Sequence, residues 1–394
     1  MAHIVFLRTV AADLTAGKPP LRGVPASAPL SAAAAAIPAS QEADVAVWRD
    51  DASPLAPAAA TVIGLLSSLD VVSFLAAHAG GAAVALRTPA GDVVAHEPAL
   101  VREVEPHTRL IEIVEVMKQG ARRVLVRKNI TEACTVVDKK PFAPFYKAVL
   151  KITGTPRAAA APAKPVGHRP SSLAPTAFGC DRYCCLTRED IVRFLINCLG
   201  ALAPTPLQSI SSLGAVNRGY AHVEASSPAF EASWRVPSEP RAVAVVRTNR
   251  DGSHKVLADV SAHRLWLRDY VAAADAMATL SSLSFAAGVD GHGMGSPDDD
   301  AGGAGAGVRR TGEGEDAAAG FEASLVGQMM MASHGGNAAL RCRGTSSLAA
   351  VMAQMLSYRA THIWVTDGED DVLVGVVGYM EIFNAVSRGV ALPA

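Results

Sequence analysis

The chain has 394 residues, half of them hydrophobic, with 36 basic against 37 acidic side chains and a formal net charge of −1. That length predicts two or three domains with a sizeable core, and in so even a charge balance nothing points to a nucleic-acid or membrane surface. No stretch reaches the ~18 apolar residues of a membrane span.

The apolar run in residues 1–8 is too short for a signal peptide. The six cysteines lack the regular spacing of a disulfide framework, so a reducing, cytoplasmic setting is expected.

A first unit begins near Asp13. Leu21-Arg22-Gly23-Val24 is a short strand candidate, followed by an alanine-rich helix with Leu30, Ala33, Ala34 and Ile37 at helical spacing. Asp44 to Trp48 reads as a strand, 50–57 as a polar, proline-bearing turn, and 61–66 as a strand feeding a helix over 69–78.

The second unit follows a loop at 88–98. Leu110, Ile113, Val114 and Met117 form the stripe of an amphipathic helix that Gly120 ends, and 123–126 is the next strand. Its hairpin partner arrives only at 182–186. The alanine- and proline-rich segment 154–177 has almost no large apolar side chains, so a disordered insertion is expected there.

In the third unit, which opens at Pro206, Pro228 and Ala229 mark a helix start. The stretches 241–247 and 255–260 bracket a turn-forming Asn249-Arg250-Asp251-Gly252, and a long helix is expected over 262–280. A glycine- and aspartate-rich linker follows over 285–335, with Asp298-Asp299-Asp300 inside it.

The fourth unit is the cleanest. Ser346 and Ser347 can cap a helix striped by Leu348, Val351, Met352, Met355 and Leu356. His362 to Val365 and 372–377 read as paired strands, and 380–386 as the closing helix.

Strand, helix, strand, strand, helix therefore occurs four times, and internal repetition of this kind fixes an architecture. The junction of last strand and last helix carries the recurring signature. It is Ser67 and Asp70 in the first repeat, Thr187 and Asp190 in the second, Ser261 and Arg264 in the third, Gly378 and Glu381 in the fourth.

A unit of this order, ending in Gly-x-x-[Ser/Thr]-x-x-Asp before a helix, resembles the cystathionine-β-synthase (CBS) domain. Four in series resemble the energy-sensing γ subunits of AMP-activated-type kinases, and more nearly a plant group of four-repeat CBS proteins. The resemblance rests on 13–19, 67–75, 194–204 and 346–381, and implies an α/β fold of four CBS repeats paired into two Bateman modules. Expected bounds are 8–80, 100–200, 205–284 and 336–390, with repeats one and two in one module and three and four in the other. It also implies adenosine ligands such as AMP, ADP or ATP between paired repeats, and a regulated partner protein such as a protein kinase complex. A homodimer through the modules is a further implication.

The residues suit such a ligand. A carboxylate accepts two hydrogen bonds from ribose hydroxyls, and the hydroxyl three positions earlier can donate to a phosphate beside the helix's free N–H groups. Ser67 with Asp70, and Thr187 with Asp190, have both parts. The same pattern also describes a plain helix cap.

In the other two repeats one part is lost. Ser261 keeps the hydroxyl, but Arg264 cannot accept a hydrogen bond; Glu381 can accept, but Gly378 offers only its backbone N–H. The N-terminal module is therefore the expected stronger site.

Arg122, Arg123, Arg359 and His362 stand at helix-to-strand turns where the resemblance places basic residues facing phosphate, though each also reads as a solvated turn charge. Cys180 to Cys185 lacks zinc spacing, so no metal is expected. Nothing resembles an activated nucleophile or catalytic dyad, and the expectation is a regulatory protein, not an enzyme. The alternative is a ligand-free interaction scaffold.

Overall fold

The computed structural model describes residues 2–51, 58–78, 80–128, 182–291, 339–368 and 371–390. The insertion expected at 154–177 and the linker beyond 291 lie outside them, as do Asp298-Asp299-Asp300.

After a leading helix α1 (Ala2–Arg8), repeat one consists of β1 (Gly23–Pro25), α2 (Leu30–Ser40), β2 (Asp44–Trp48), β3 (Val62–Ser67) and α3 (Ser68–Ala77). Repeat two has β4 (Val101–Val104), α4 (Leu110–Lys118), β5 (Arg123–Arg127), β6 (Tyr183–Thr187) and α5 (Arg188–Asn197). Repeat three has β7 (His222–Glu224), α6 (Glu231–Arg235), β8 (Ala242–Thr248), β9 (His254–Ser261), α7 (Ala262–Leu265), α8 (Tyr270–Thr279) and α9 (Ser282–Gly291). Repeat four has β10 (Arg341–Arg343), α10 (Leu348–Ser357), β11 (His362–Asp367), β12 (Val372–Gly378) and α11 (Tyr379–Ser387).

Each repeat pairs its first strand parallel to its second, and its second antiparallel to its third. The register is common to all four: Asp44 lies opposite Ser67, Arg123 opposite Thr187, Ala242 opposite Ser261 and His362 opposite Gly378.

The central strands are buried on both faces, which is why they read as continuous apolar runs. Successive side chains point to opposite faces. In β2, Val45 and Val47 meet the helices while Ala46 and Trp48 meet the sheet of repeat two. In β11, Ile363 and Val365 face helices and Trp364 faces repeat three. Each fully buried aliphatic side chain contributes about 1.5–3 kcal/mol, so both faces are needed.

These faces build four cores. Two join repeats within a module: Leu21, Trp48 and Leu65 pack on Leu125, Tyr183 and Cys185, and Ala244 and Val256 pack on Trp364 and Val376. In the C-terminal module the two sheets also merge into six strands where Val372 pairs with Lys255. The other two cores join modules through helices, repeat one against three and repeat two against four. At the first of these seams Ser68 Oγ donates to the Ala262 carbonyl at 2.6 Å.

Glycine marks one close approach. The lead-in to β7 crosses β12, with Asn217 and Val376 exchanging N–H···O bonds of 2.9 and 2.8 Å. A Cβ on Gly375 would stand 2.6 Å from the Asn217 carbonyl oxygen, closer than any side chain can come.

Three expectations about elements are corrected. The helix expected over 262–280 is broken into α7 and α8, because Asp269 caps a fresh start by accepting from the N–H groups of Val271 and Ala272. The linker expected from residue 285 begins later, since α9 runs to Gly291 and buries Phe285 and Ala286. The loop expected at 88–98 contains a helical turn whose Ala90 is fully buried in repeat one.

Segments leading into each module also serve its second repeat. Thr9 to Ala11 bonds to Thr108 and Leu110, and Gln208 to Ile210 bonds to Ser346 and Leu348, in the same pattern.

Candidate functional site

The four strand-to-helix junctions converge because the modules pack helix to helix. Where they meet lies a cavity of about 510 Å³, lined from all four repeats. Ser67, Thr187, Asp190 and Arg123 are on its wall, together with Arg122 and Arg359. Asp70, Ser261, His362 and Glu381 are not.

Both acid–hydroxyl pairs form helix caps. Ser67 Oγ accepts from the Asp70 N–H, and Asp70 Oδ2 accepts from the Ser67 N–H at 2.9 Å. Thr187 and Asp190 repeat this, with the Thr187 N–H 2.9 Å from Asp190 Oδ2. Glu381 also caps its helix, accepting the Gly378 N–H at 2.9 Å. The capping alternative is therefore realised in three repeats. A carboxylate held by one oxygen keeps the other available.

That second oxygen is taken from a distance. Asp190 Oδ1 is bound by Lys18 Nζ, and Asp70 Oδ1 by Arg241. Arg123 is held by Glu42 and, at 2.6 Å, by Asp44. Glu239 accepts from Arg122 at 3.0 Å and Arg188 at 2.6 Å, and Arg193 pairs with Glu189.

Six cations thus face six carboxylates, and most of these pairs tie one repeat to another. Burial pushes the Glu42 carboxyl up, against the pull of Arg123. Burial also pulls Arg123 down, but Asp44 and Glu42 outweigh it and raise its pKa.

In the C-terminal module the junction side chains are engaged with one another. Asp259, 4 % exposed, sits between Arg264 Nε at 2.9 Å and His362 Nε2 at 3.5 Å. Burial pushes the Asp259 carboxyl up, yet Arg264 and His362 more than offset this and hold it at about 2. Arg264 is thus committed to an acid of its own repeat, and His362 is buried against the same acid instead of facing phosphate. Ser261 is 2 % exposed.

Sequence reasoning missed Lys18, Asp44, Arg188, Glu239, Arg241 and Trp266 as members of this wall. Arg241 had a signal, since it stands directly before β8 as Arg122 stands directly before β5 in repeat two. The others had none, because their partners belong to other repeats.

Cys184 and Cys185 are buried on β6, and burial raises both thiols. Among the described residues no group of His, Cys, Asp and Glu could hold a metal, and no helix is long and apolar enough to cross a membrane.

A four-fold repetition of strand, helix, strand, strand, helix about a polar centre defines a tandem CBS-type protein. The fold matches that of a Methanocaldococcus jannaschii protein described as a candidate archaeal homologue of γ-AMPK, with a TM-score of 0.52 and 9 % identity over 95 % of this chain and 99 % of that one. No protein-family profile matches the chain. CBS domain-containing protein CBSX6 of Arabidopsis thaliana is 39 % identical over 98 % of this chain and 94 % of its own length. CBSX5 of the same plant is 25 % identical over 95 % and 96 %. The chain belongs to the CBS domain-containing proteins.

Proposed function

We propose that the protein is a non-catalytic regulator that binds an adenosine nucleotide, AMP, ADP, ATP or a related adenosyl ligand, and passes its occupancy to a partner protein in the cytosol. A protein kinase complex is one such partner. The observation that carries this reading is that Thr187 and Asp190 open at a helix N-terminus onto the cavity where all four repeats meet. A hydroxyl, a carboxylate and first-turn N–H groups there can hold ribose and phosphate together. Because every repeat contributes to the wall, a ligand in it touches both modules at once.

Calorimetric titration with AMP, ADP, ATP and S-adenosylmethionine tests this. Saturable heat with at least one of them is expected, and none at millimolar ligand would refute it.

A second reading, a ligand-free scaffold acting only through protein contacts, is favoured by one observation. The acids that would receive ribose are already bound by Lys18 and Arg241. Under the first reading a ligand must displace Lys18 from Asp190, so affinity should rise in Lys18→Ala. Under the second it stays absent.

A further inference from the structure

Among the described residues, three serines have an arginine three positions before them: Ser238, Ser253 and Ser346. Two of these hydroxyls are already engaged. Ser253 Oγ donates to Asp251 Oδ1 at 2.6 Å and accepts from Asn249 Nδ2 at 2.9 Å, while Ser346 Oγ accepts from the Arg343 N–H at 3.2 Å. Ser238 is exposed in the turn between α6 and β8, and its hydroxyl has no hydrogen-bond partner among the described residues. Arg235 ends α6 with a side chain 49 % exposed, tied to Glu231 one turn back and, at 3.2 Å, to the His222 carbonyl. Exposed ion pairs of that kind hold a side chain weakly. Arg235 and Ser238 can therefore both be reached from solvent.

Beside Ser238 lies a local surplus of positive charge. Arg122 of repeat two places Nη2 2.6 Å from the Ser238 carbonyl oxygen and Nε 3.0 Å from Glu239 Oε1. Arg188 Nη1 takes the same Oε1 at 2.6 Å. Two guanidinium groups thus share one carboxylate. Burial pulls the Arg188 pKa down, and Arg122 and Arg123 add to this against the opposing pull of Glu239. The atom facing Arg122 Nη2 is a neutral carbonyl. A phosphate with about −1.5 to −2 charges and three acceptor oxygens is the better partner, because charge-assisted hydrogen bonds are roughly twice as strong.

We infer that Ser238 is a phosphorylation site for a serine kinase that reads Arg235, and that its phosphate docks on Arg122 and locks repeat three against repeat two across the module seam. In the transfer, Ser238 Oγ attacks the γ-phosphorus of a nucleoside triphosphate bound by the kinase. The Oγ–P bond forms as the bond from that phosphorus to the bridging oxygen breaks. The hydroxyl proton passes to a carboxylate base of the kinase, and nucleoside diphosphate leaves. The phosphate then takes Nη2 from the carbonyl, while Arg122 Nε stays on Glu239. Neither step needs a ligand in the central cavity.

The test treats the full chain with magnesium ATP and a serine kinase selective for arginine three positions before the serine, maps the phosphate by mass spectrometry, and follows urea unfolding. Wild type should carry phosphate on the tryptic peptide 236–241. Its unfolding constant should then be about tenfold smaller than in the untreated protein, as one charge-assisted hydrogen bond supplies. Treated Ser238→Ala should match its untreated form, which separates Ser238 from phosphate placed on Ser253 or Ser346. In Arg122→Gln the same peptide should be phosphorylated, but the gain should shrink below threefold. Each comparison is made within one variant, so a lower starting stability of Arg122→Gln does not obscure it.

A peptide 236–241 that stays free of phosphate in wild type overturns the site. Phosphate on Ser238 with an unfolding constant unchanged or larger, or with the full gain kept in Arg122→Gln, overturns the docking on Arg122.

Discussion

Arg188 Nη1 lies 2.6 Å from Glu239 Oε1, joining the last helix of repeat two to the turn before β8 of repeat three. These repeats belong to different modules and stand diagonally across the centre. Arg188 is only 4 % exposed and also donates to the carbonyls of Ala121 and Met117, so its charge is largely withdrawn from water. Removing one partner of such a pair costs about 3–5 kcal/mol because the other charge is left buried.

Glu239→Ala should therefore lower the urea midpoint strongly, with Glu239→Gln intermediate since it keeps an acceptor for Arg188. A midpoint unchanged in Glu239→Ala would mean the diagonal pair is not what holds the modules in register.

Asp70 and Asp190 make the same cap, and either change to Ala should cost about 1 kcal/mol of cap energy. Their effects on nucleotide affinity should differ. Asp190 is on the cavity wall and Asp70 is not, so Asp190→Ala should weaken binding about ten- to a hundredfold while Asp70→Ala moves it little. Equal losses measured by calorimetry would show that Asp70 turns into the cavity when ligand arrives.

Acid should destabilise the fold in two stages. Burial holds the His263 and His222 imidazoles below their ordinary range, His263 donating from Nε2 to the Tyr358 carbonyl at 3.1 Å. A histidine with a lowered folded pKa favours the folded state above its unfolded value near 6.5, and that advantage fades as pH falls through it. The depressed Asp259 contributes stability above its unfolded value that is lost only as pH falls towards about 2. Thermal melts at pH 7, 6 and 5 should fall first through the histidines, and His263→Gln, which keeps a donor, should flatten that first stage. A variant melting with the same pH slope as wild type contradicts this.

The C-terminal junction residues should matter for folding and not for ligand. Ser261→Ala and Glu381→Ala lie off the cavity wall, so nucleotide affinity should stay within threefold of wild type. Glu381→Ala should still lose about 1 kcal/mol with its cap to the Gly378 N–H. His362→Ala strips buried Asp259 of one of the two side chains that face its carboxylate and should destabilise more than either. A tenfold loss of nucleotide affinity in Glu381→Ala would place a ligand in the C-terminal module after all.

Trp364 is 1 % exposed between the sheets of repeats three and four. Trp364→Ala should cost about 3–5 kcal/mol, from the lost burial of the ring together with the cavity left behind. Its size should appear in the urea midpoint, and a loss below 1 kcal/mol would mean the two sheets collapse together without it.

What could be read from the sequence was what short-range periodicity encodes. The continuous apolar runs of β2, β8 and β11 and the three- and four-residue stripes of α4 and α10 depend on neighbours within a few positions, so four repeats and their order were legible. Ser67 with Asp70, and Thr187 with Asp190, were legible as pairs for the same reason, since a cap spans three residues. The breaks that were not legible depend on distant packing: α9 continues past residue 284 because repeat three offers Phe285 a place to be buried.

Tertiary structure alone decided which of those pairs faces the cavity and what already occupies it. Lys18 reaches Asp190 across 172 positions, and Arg241 reaches Asp70 across 171. No pattern in the chain announces either contact, because a charge is attracted to whatever opposite charge folding brings near, and its place in the sequence carries no record of that neighbour. Likewise Arg264 could be seen to lack a lone pair, but only the packing of β9 against α7 and β11 gave it Asp259 to hold.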